Sequence, residues 1–329
     1  MKQLYLHIGY PKTGTTSLQR FFSLNEEKFL KNKIVYPRTG RIGDAHYGVS
    51  FSLGLGNYDR SSLDPDRLKS ELIEEIKNRP WEKIIISSEY FITARQPDDI
   101  KRYYESFRNL IGDFEIFIIV YLRRHDGIFE SGFTQSEKTS LSPPWDPDIN
   151  SYTLHAICSS DVPYDYLQTL HRWQNTFGKT NLLVRPLEKK QNIPDLYGDF
   201  LKTIQCEDDN YFRPVNQNQS IDWGTVLALR FARKLSLDKP TTNYVCSELI
   251  KEGARLQSNE KYFSPAMRLA IIKKYLPSYF QIARNFIPRK DGILFEESLP
   301  KLNDEWEPPL TPSKSKISER IIQILANRN

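Results

Sequence analysis

Segments with apolar residues at nearly every position alternate with segments in which apolar residues recur at helical spacing. The first kind indicates strands buried on both faces, and the second kind indicates amphipathic helices. The predicted strands are 3–8, 83–87, 114–122 and 181–184, and the predicted helices are 15–30, 64–78, 97–112 and 164–177. This alternation predicts an α/β fold with a central parallel sheet that is covered by helices on both faces.

Beyond residue 205 the pattern is helical only, notably over 223–235, 264–286 and 313–326. We therefore predict a single domain that consists of an α/β core, 1–205, and a helical C-terminal part, 206–329. Glycine or proline is frequent in two irregular stretches, 36–63 and 139–163. Long loops in compact domains often carry function, so we expect these two to determine substrate specificity.

The composition is that of a globular protein, with 39% hydrophobic and 26% charged residues in 329. The net charge of +5 suits an anionic ligand in one site better than a nucleic-acid surface, where basic residues would cluster. The longest apolar run, 116–122, is too short to span a bilayer. The three cysteines are far apart and form no disulfide framework. We expect a cytoplasmic protein without a membrane span or a nucleic-acid partner.

A glycine-bounded loop, Gly9 to Gly14, joins the first predicted strand to the first predicted helix. Such a loop directs backbone N–H groups at an anion, and the positive end of the helix dipole adds to the attraction. A P-loop nucleoside triphosphatase has lysine directly after the second glycine of the loop, here Gly14. This chain has Thr15 at that position and Lys12 inside the loop. No predicted strand ends in aspartate, which would hold Mg²⁺. We predict a phosphate site without a metal.

Two segments resemble the sulfotransferases that use 3′-phosphoadenosine 5′-phosphosulfate (PAPS), in particular the bacterial and carbohydrate-type members. Segment 11–17 is similar to their 5′-phosphosulfate loop, and segment 121–135 is similar to their 3′-phosphate segment, with Ser131 eight residues after Arg123. The resemblance implies a three-layer fold of the P-loop NTPase type. It also implies a set of nucleotide-binding residues: Pro11, Lys12, Thr13, Gly14, Thr15, Thr16, Ser17, Arg123, Ser131 and Arg213.

The resemblance further implies transfer of a sulfuryl group from PAPS to an acceptor hydroxyl, with saccharides among the candidate acceptors. Lys12 is expected to stabilise the charge on the leaving group. Two residues are candidates for the catalytic base, Glu89 after the strand 83–87 and His46 in the glycine-rich stretch. Two other candidates are weaker: Arg185 could reach the nucleotide or pair with Glu188, and His7 is expected to be a core histidine.

Two other functions remain open from the sequence. One is a Mg-dependent P-loop kinase of a small molecule, and the other is a catalytically inactive relative that only binds an anion. The sequence identifies neither the acceptor, which could be a saccharide, lipid, peptide or small metabolite, nor the adenine-stacking residue. It also leaves the oligomeric state open.

Overall fold

A computed structural model of the protein describes residues 1–56, 63–140, 143–159, 162–214, 220–255, 261–287 and 289–328. Within them, five parallel strands form one sheet in the order β2-β3-β1-β4-β5. In chain order the strands are β1 (Lys2–His7), β2 (Ile34–Val35), β3 (Lys83–Ser87), β4 (Phe114–Leu122) and β5 (Leu182–Pro186). The predicted α/β fold with a parallel sheet is confirmed. The strand β2 has only two residues, which explains why the sequence pattern did not reveal it.

Helices connect the strands and continue beyond them. A short 3₁₀ helix, Glu89–Thr93, follows β3 directly. The α-helices of the described residues are α1 (Thr15–Leu24), α2 (Glu26–Lys31), α3 (Tyr47–Ser52), α4 (Pro65–Lys77), α5 (Pro97–Glu105), α6 (Arg108–Ile111), α7 (His125–Thr139), α8 (Ile149–Ser159), α9 (Tyr166–Phe177), α10 (Leu196–Thr203), α11 (Trp223–Lys234), α12 (Lys239–Arg255), α13 (Pro265–Phe286) and α14 (Lys314–Ala326).

Two predicted helices are each divided in the structure, and both predicted loops contain a helix. The prediction of one helix over 15–30 was wrong because Asn25 separates α1 from α2. Its side-chain amide donates to the Phe21 carbonyl at 2.8 Å, which competes with regular helical bonding. The predicted helix 97–112 is likewise divided into α5 and α6. The helices α3 and α8 lie within 36–63 and 139–163, of which residues 57–62, 141–142 and 160–161 are outside the described residues.

The chain forms two compact units, each built from several segments. The first comprises Met1–Arg124, Asp161–Val215 and Tyr275–Glu297, and the second comprises His125–Ser160, Asn216–Lys274 and Ser298–Asn329. These boundaries differ from a division at residue 205, because α7 and α8 group with C-terminal helices. The prediction of a single domain stays a prediction.

The first unit contains the sheet and the aromatic core. Tyr5 and Ile119 point to one face of the sheet, where Phe21, Phe22 and Phe200 from α1 and α10 pack against them. Alternate side chains of a strand point to opposite faces. The alternate residues Leu4, Leu6, Ile84 and Ile86 are also fully buried. Both faces of the sheet are therefore covered, as in a three-layer α/β fold.

In the second unit α7, α8, α11, α12 and α14 pack on one another. The buried Glu137 of α7 accepts two hydrogen bonds from Arg230 of α11, at 2.6 and 2.7 Å, and one from the Trp145 indole at 2.9 Å. A buried carboxylate with such complete hydrogen bonding fixes the contact of these two helices.

The described residues contain neither a candidate membrane helix nor a candidate metal site. No helix there combines the length and the apolar character that crossing a bilayer requires. The same residues contain no group of three or more His, Cys, Asp or Glu side chains arranged to hold a metal ion.

Candidate active site

The register of the strands places the candidate residues of the first unit at one edge of the sheet. His7, at the end of β1, pairs with Ser87 of β3 and with Ile119 of β4. The glycine-bounded loop follows β1, Glu89 follows β3, and Arg123 follows β4. Because the carboxyl ends of parallel strands share one edge, these three parts lie where open α/β sheets bind ligands.

The loop needs glycine at both of its ends. Gly14 has φ +80°, and a Cβ atom there would lie 2.5 Å from Leu196 Cδ2. A Cβ atom on Gly9 would lie 2.1 Å from the hydroxyl of Thr15. Lys12 also adopts a left-handed conformation, with φ +64°. Left-handed residues in such turns direct successive N–H groups to one side, which is the geometry of an anion-binding loop.

The threonine hydroxyls mainly support the loop from within. The side chain of Thr13 is buried and donates to the Tyr10 carbonyl at 2.6 Å, and the Thr15 hydroxyl donates to the same carbonyl at 3.3 Å. The Ser17 hydroxyl hydrogen-bonds Tyr197, whereas Thr16 is exposed. The backbone N–H of Thr13 also donates to the Tyr10 carbonyl, at 3.4 Å. We therefore expect Thr13 to shape the loop and Thr15 to act on a phosphate chiefly through its backbone N–H group.

The beginning of α1 is suited to an anion. Its first intrahelical bond runs from Leu18 N–H to the Gly14 carbonyl at 3.0 Å. The N–H groups before Leu18 in the first turn therefore have no acceptor within the helix. That turn contains no acidic residue. Free N–H groups and the positive end of the dipole favour a phosphate at this position.

Arg123 contacts the loop directly. Its Nη1 atom donates to the Lys12 carbonyl at 3.2 Å, and its own carbonyl accepts a hydrogen bond from the Tyr166 hydroxyl at 2.8 Å. The structure thus brings together the ends of β1 and β4, as the sequence motifs indicated. Ser131 lies on α7 in the second unit. Its role toward a 3′-phosphate stays a prediction.

Glu89 begins the 3₁₀ helix after β3 and is half-buried. Burial raises the pKa of this carboxyl from an ordinary 4.5 to about 7, against the opposing effect of the positive charge of Lys12. Because β1 and β3 are adjacent parallel strands in which His7 pairs with Ser87, Glu89 and the loop that contains Lys12 follow the same end of the sheet. A carboxylate with a pKa near neutrality is suited to accept a proton at physiological pH.

His46, the second candidate for the base, is held by backbone groups on both ring nitrogens. Nε2 lies 2.9 Å from the Pro37 carbonyl, and Nδ1 accepts from the Ser87 N–H at 3.1 Å. Burial lowers the pKa of this imidazole to about 3. A weakly basic ring with neither nitrogen available cannot serve as the base, so the geometry favours Glu89.

The contacts of His46 instead stabilise the end of β3. Its backbone N–H donates to the Ser87 carbonyl at 2.8 Å, so His46 contacts both backbone polar groups of Ser87. One turn later on α3, the Ser50 hydroxyl donates to the Ser88 hydroxyl at 2.6 Å. Ser87 and Ser88 immediately precede Glu89. His46 and Ser50 are therefore positioning residues for Glu89. Sequence reasoning missed Ser50 and assigned His46 a different role, that of a base.

Replacing His46 with leucine is expected to lower kcat for the predicted sulfate transfer. It should also move the acid limb of the pH–rate profile, which reports the titration of Glu89, away from pH 7. Leucine leaves the buried Ser87 N–H without its acceptor, at a cost of about 1–3 kcal/mol, and so allows Glu89 to shift. His46→Asn, whose Oδ1 can accept the same hydrogen bond, should restore most of the rate and the limb. The measurement is kcat/KM from pH 5 to 9, with thermal unfolding of both variants as control. An unchanged profile for His46→Leu would contradict the assignment of His46 as a positioning residue for Glu89.

Other candidate residues are engaged by neighbouring charges. Arg213 forms ion pairs with Asp195, at 2.8 Å, and with Asp209. Arg185 pairs with Asp199, so the predicted alternative of a pair with Glu188 was wrong. These carboxylates reduce the capacity of both arginines to bind a phosphate.

His7 is buried within the sheet, as expected of a core histidine. Its Nδ1 atom lies 2.9 Å from the hydroxyl of Ser87, which also accepts from the Gln19 amide at 3.1 Å. Burial lowers the pKa of this imidazole to about 3. Like His46, it supports the end of β3 rather than providing a base.

No family model matches the chain. It is 23% identical over 252 residues to an uncharacterized protein of Archaeoglobus fulgidus, an alignment that covers 74% of this chain. The alignment covers 64% of the archaeal protein, so this chain matches less than two thirds of that relative's length. This similarity assigns no activity.

Proposed function

We propose that the protein is a sulfotransferase that transfers the sulfuryl group of PAPS to an acceptor hydroxyl. The observation that carries the proposal is the placement of Glu89, with its raised pKa, within the electrostatic influence of Lys12 in the glycine-bounded loop. The resemblance of segments 11–17 and 121–135 to PAPS-dependent enzymes supports the same chemistry. The assignment of the fold to the P-loop NTPase type and a cytoplasmic location are part of this proposal.

Different residues of the first unit have separate roles in the proposed reaction. In sulfuryl transfer the bond between sulfur and the 5′-phosphate oxygen breaks, and a bond between sulfur and the acceptor oxygen forms. Glu89 takes the proton of the acceptor hydroxyl, and Lys12 neutralises negative charge on the leaving phosphate oxygen. The N–H groups at the beginning of α1 hold the 5′-phosphate, and Arg123 binds the 3′-phosphate with its guanidinium.

The loop fits this assignment better than triphosphate hydrolysis. Its lysine precedes the second glycine, and Thr15 occupies the position of the usual lysine. A kinase or an inactive anion-binding protein would nevertheless also bind a phosphate at this loop. The two alternatives differ from the proposal in the nucleotide that they prefer and in turnover, so binding and transfer have to be measured separately.

The test is a calorimetric titration with adenosine 3′,5′-bisphosphate without magnesium, next to titrations with ATP with and without Mg²⁺. We expect micromolar binding of the bisphosphate that needs no metal. Arg123→Ala should weaken it by about 30-fold, because a charged hydrogen bond to phosphate is lost, and Arg123→Lys should recover part of it. Arg67→Ala, at an exposed position on α4, is the matched control.

The outcomes separate the three functions. Binding of Mg–ATP without binding of the bisphosphate would contradict the sulfotransferase assignment and support the kinase. Binding of the bisphosphate without transfer from PAPS to any hydroxyl in a broad acceptor screen would support an inactive relative.

A further inference from the structure

A cleft of about 590 Å³ opens beside the proposed base in the first unit. Two segments of the chain, 53–56 and 90–100, contribute most of its lining. Tyr90, which lines the cleft, directly follows Glu89 in the chain. The volume is within the range of sites that bind small molecules, about 300–1,000 Å³. A small acceptor would fit here, whereas the sequence left its size open.

The ring of Tyr90 lines the cleft and is closely packed against two other aromatic rings, Tyr47 and Phe51, which are not part of the lining. The ring of Tyr90 lies 5.2 Å from the ring of Tyr47 and 5.2 Å from that of Phe51, measured between centroids. Gly56 has φ +77°, and a Cβ atom there would lie 2.9 Å from an atom of each of the rings of Phe51 and Tyr90. The glycine thus allows the backbone to pack directly on these rings. The Tyr90 ring, together with the lining residues Leu53, Leu55 and Ile100, offers an apolar surface to an apolar or aromatic part of a ligand.

The charged groups of the cleft favour an anion. Arg95 lines it and is exposed, and among the described residues its guanidinium has no ion pair or hydrogen bond. Asp99, the carboxylate in the lining, forms an ion pair with Arg102. Since that pair neutralises the acid, Arg95 gives the lining an uncompensated positive charge, as far as the described residues are concerned.

We propose that this cleft binds the acceptor and that the acceptor is a small hydroxyl-bearing molecule with a carboxylate or sulfate group, which pairs with Arg95. The inference rests on the proposed function, because it is Glu89 that makes a hydroxyl near Tyr90 an acceptor. Tyr90 and the aliphatic lining residues select an apolar or aromatic portion, and Arg95 selects the anion.

The experiment compares acids with their neutral amides. The two pairs are 4-hydroxyphenylacetate with 4-hydroxyphenylacetamide, and phenyl β-D-glucuronide with phenyl β-D-glucuronamide. Each pair is titrated into the full-length protein by calorimetry without nucleotide and is then tested in sulfate transfer from PAPS. In at least one pair we expect the acid to bind about tenfold more tightly than its amide. Arg95→Gln should reduce this ratio to near one, Arg95→Lys should retain part of it, and Arg67→Gln serves as the matched surface control.

Equal binding of acid and amide in both pairs would overturn the proposal, as would an acid preference that persists in Arg95→Gln. A failure of the proposed function has a different signature. In that case the acid preference and its dependence on Arg95 persist in calorimetry, although no sulfate is transferred. Transfer to neutral acceptors without an Arg95-dependent preference would leave the sulfotransferase assignment intact and refute the assignment of the cleft.

Discussion

Replacing Lys12 with alanine is expected to lower kcat for sulfate transfer by about 10²–10³-fold while the bisphosphate still binds. The reason is that the charge of Lys12 acts on a leaving group whose negative charge develops in the transition state. The backbone N–H groups of α1 and the guanidinium of Arg123 remain, so binding of the bisphosphate should weaken only several-fold. Single-turnover transfer from PAPS, together with calorimetry of the same variant, measures both quantities.

Two further variants separate the charge of Lys12 from its shape. Lys12→Met retains most of the length of the side chain and should be as inactive as the alanine variant, whereas Lys12→Arg should keep part of the rate. The positive charge of Lys12 opposes the rise in the pKa of Glu89. In Lys12→Met the acid limb of the residual activity should therefore move above pH 7. Full activity of Lys12→Met would contradict the assigned role.

The sheet and the glycine-bounded turn between β1 and α1 could be predicted from sequence because local chemistry specifies both. Strands buried on both faces are apolar throughout, and glycine is favoured at position 14 because its backbone is left-handed and a Cβ atom there would lie 2.5 Å from Leu196. The helix α3 could not be predicted in this way. It has six residues, and contacts distant in sequence support it, including the one between His46 and Ser87, 41 residues apart.

For the candidate site as well, the sequence predicted where residues lie along the chain but not which contacts they make in the fold. The sequence placed Glu89 after a buried strand and favoured it as the base, but kept His46 as the second candidate. The two residues differ in burial and hydrogen bonding. Those of His46 arise only when the fold brings Pro37 and Ser87 next to its ring. Likewise, Arg185 pairs with Asp199, fourteen residues ahead, rather than with the nearer Glu188. Ion-pair partners follow from the fold, and proximity in sequence is a poor guide to them.

Replacing Glu89 with glutamine is expected to reduce kcat by about 10²–10⁴-fold, the usual contribution of a positioned proton acceptor. The pH dependence should identify the residue. A base works only when it is deprotonated, so with a pKa of about 7 the wild-type kcat/KM should fall by about tenfold per pH unit below neutrality. Glutamine does not titrate, so in Glu89→Gln this limb should disappear. The measurement is kcat/KM from pH 5 to 9 with bisphosphate affinity followed in parallel.

Glu89→Asp supplies the control for this prediction. Aspartate keeps a titrating carboxylate but shortens the side chain by one methylene, so the rate should fall while an acid limb persists. Glutamine keeps the length and loses the base, so the limb should vanish. The two variants thus separate position from proton transfer at a residue that directly follows the hydrogen-bonded Ser87 and Ser88. If Glu89→Gln retained both the wild-type rate and the limb, the proton acceptor would be another group, and the raised pKa of Glu89 would reflect burial alone.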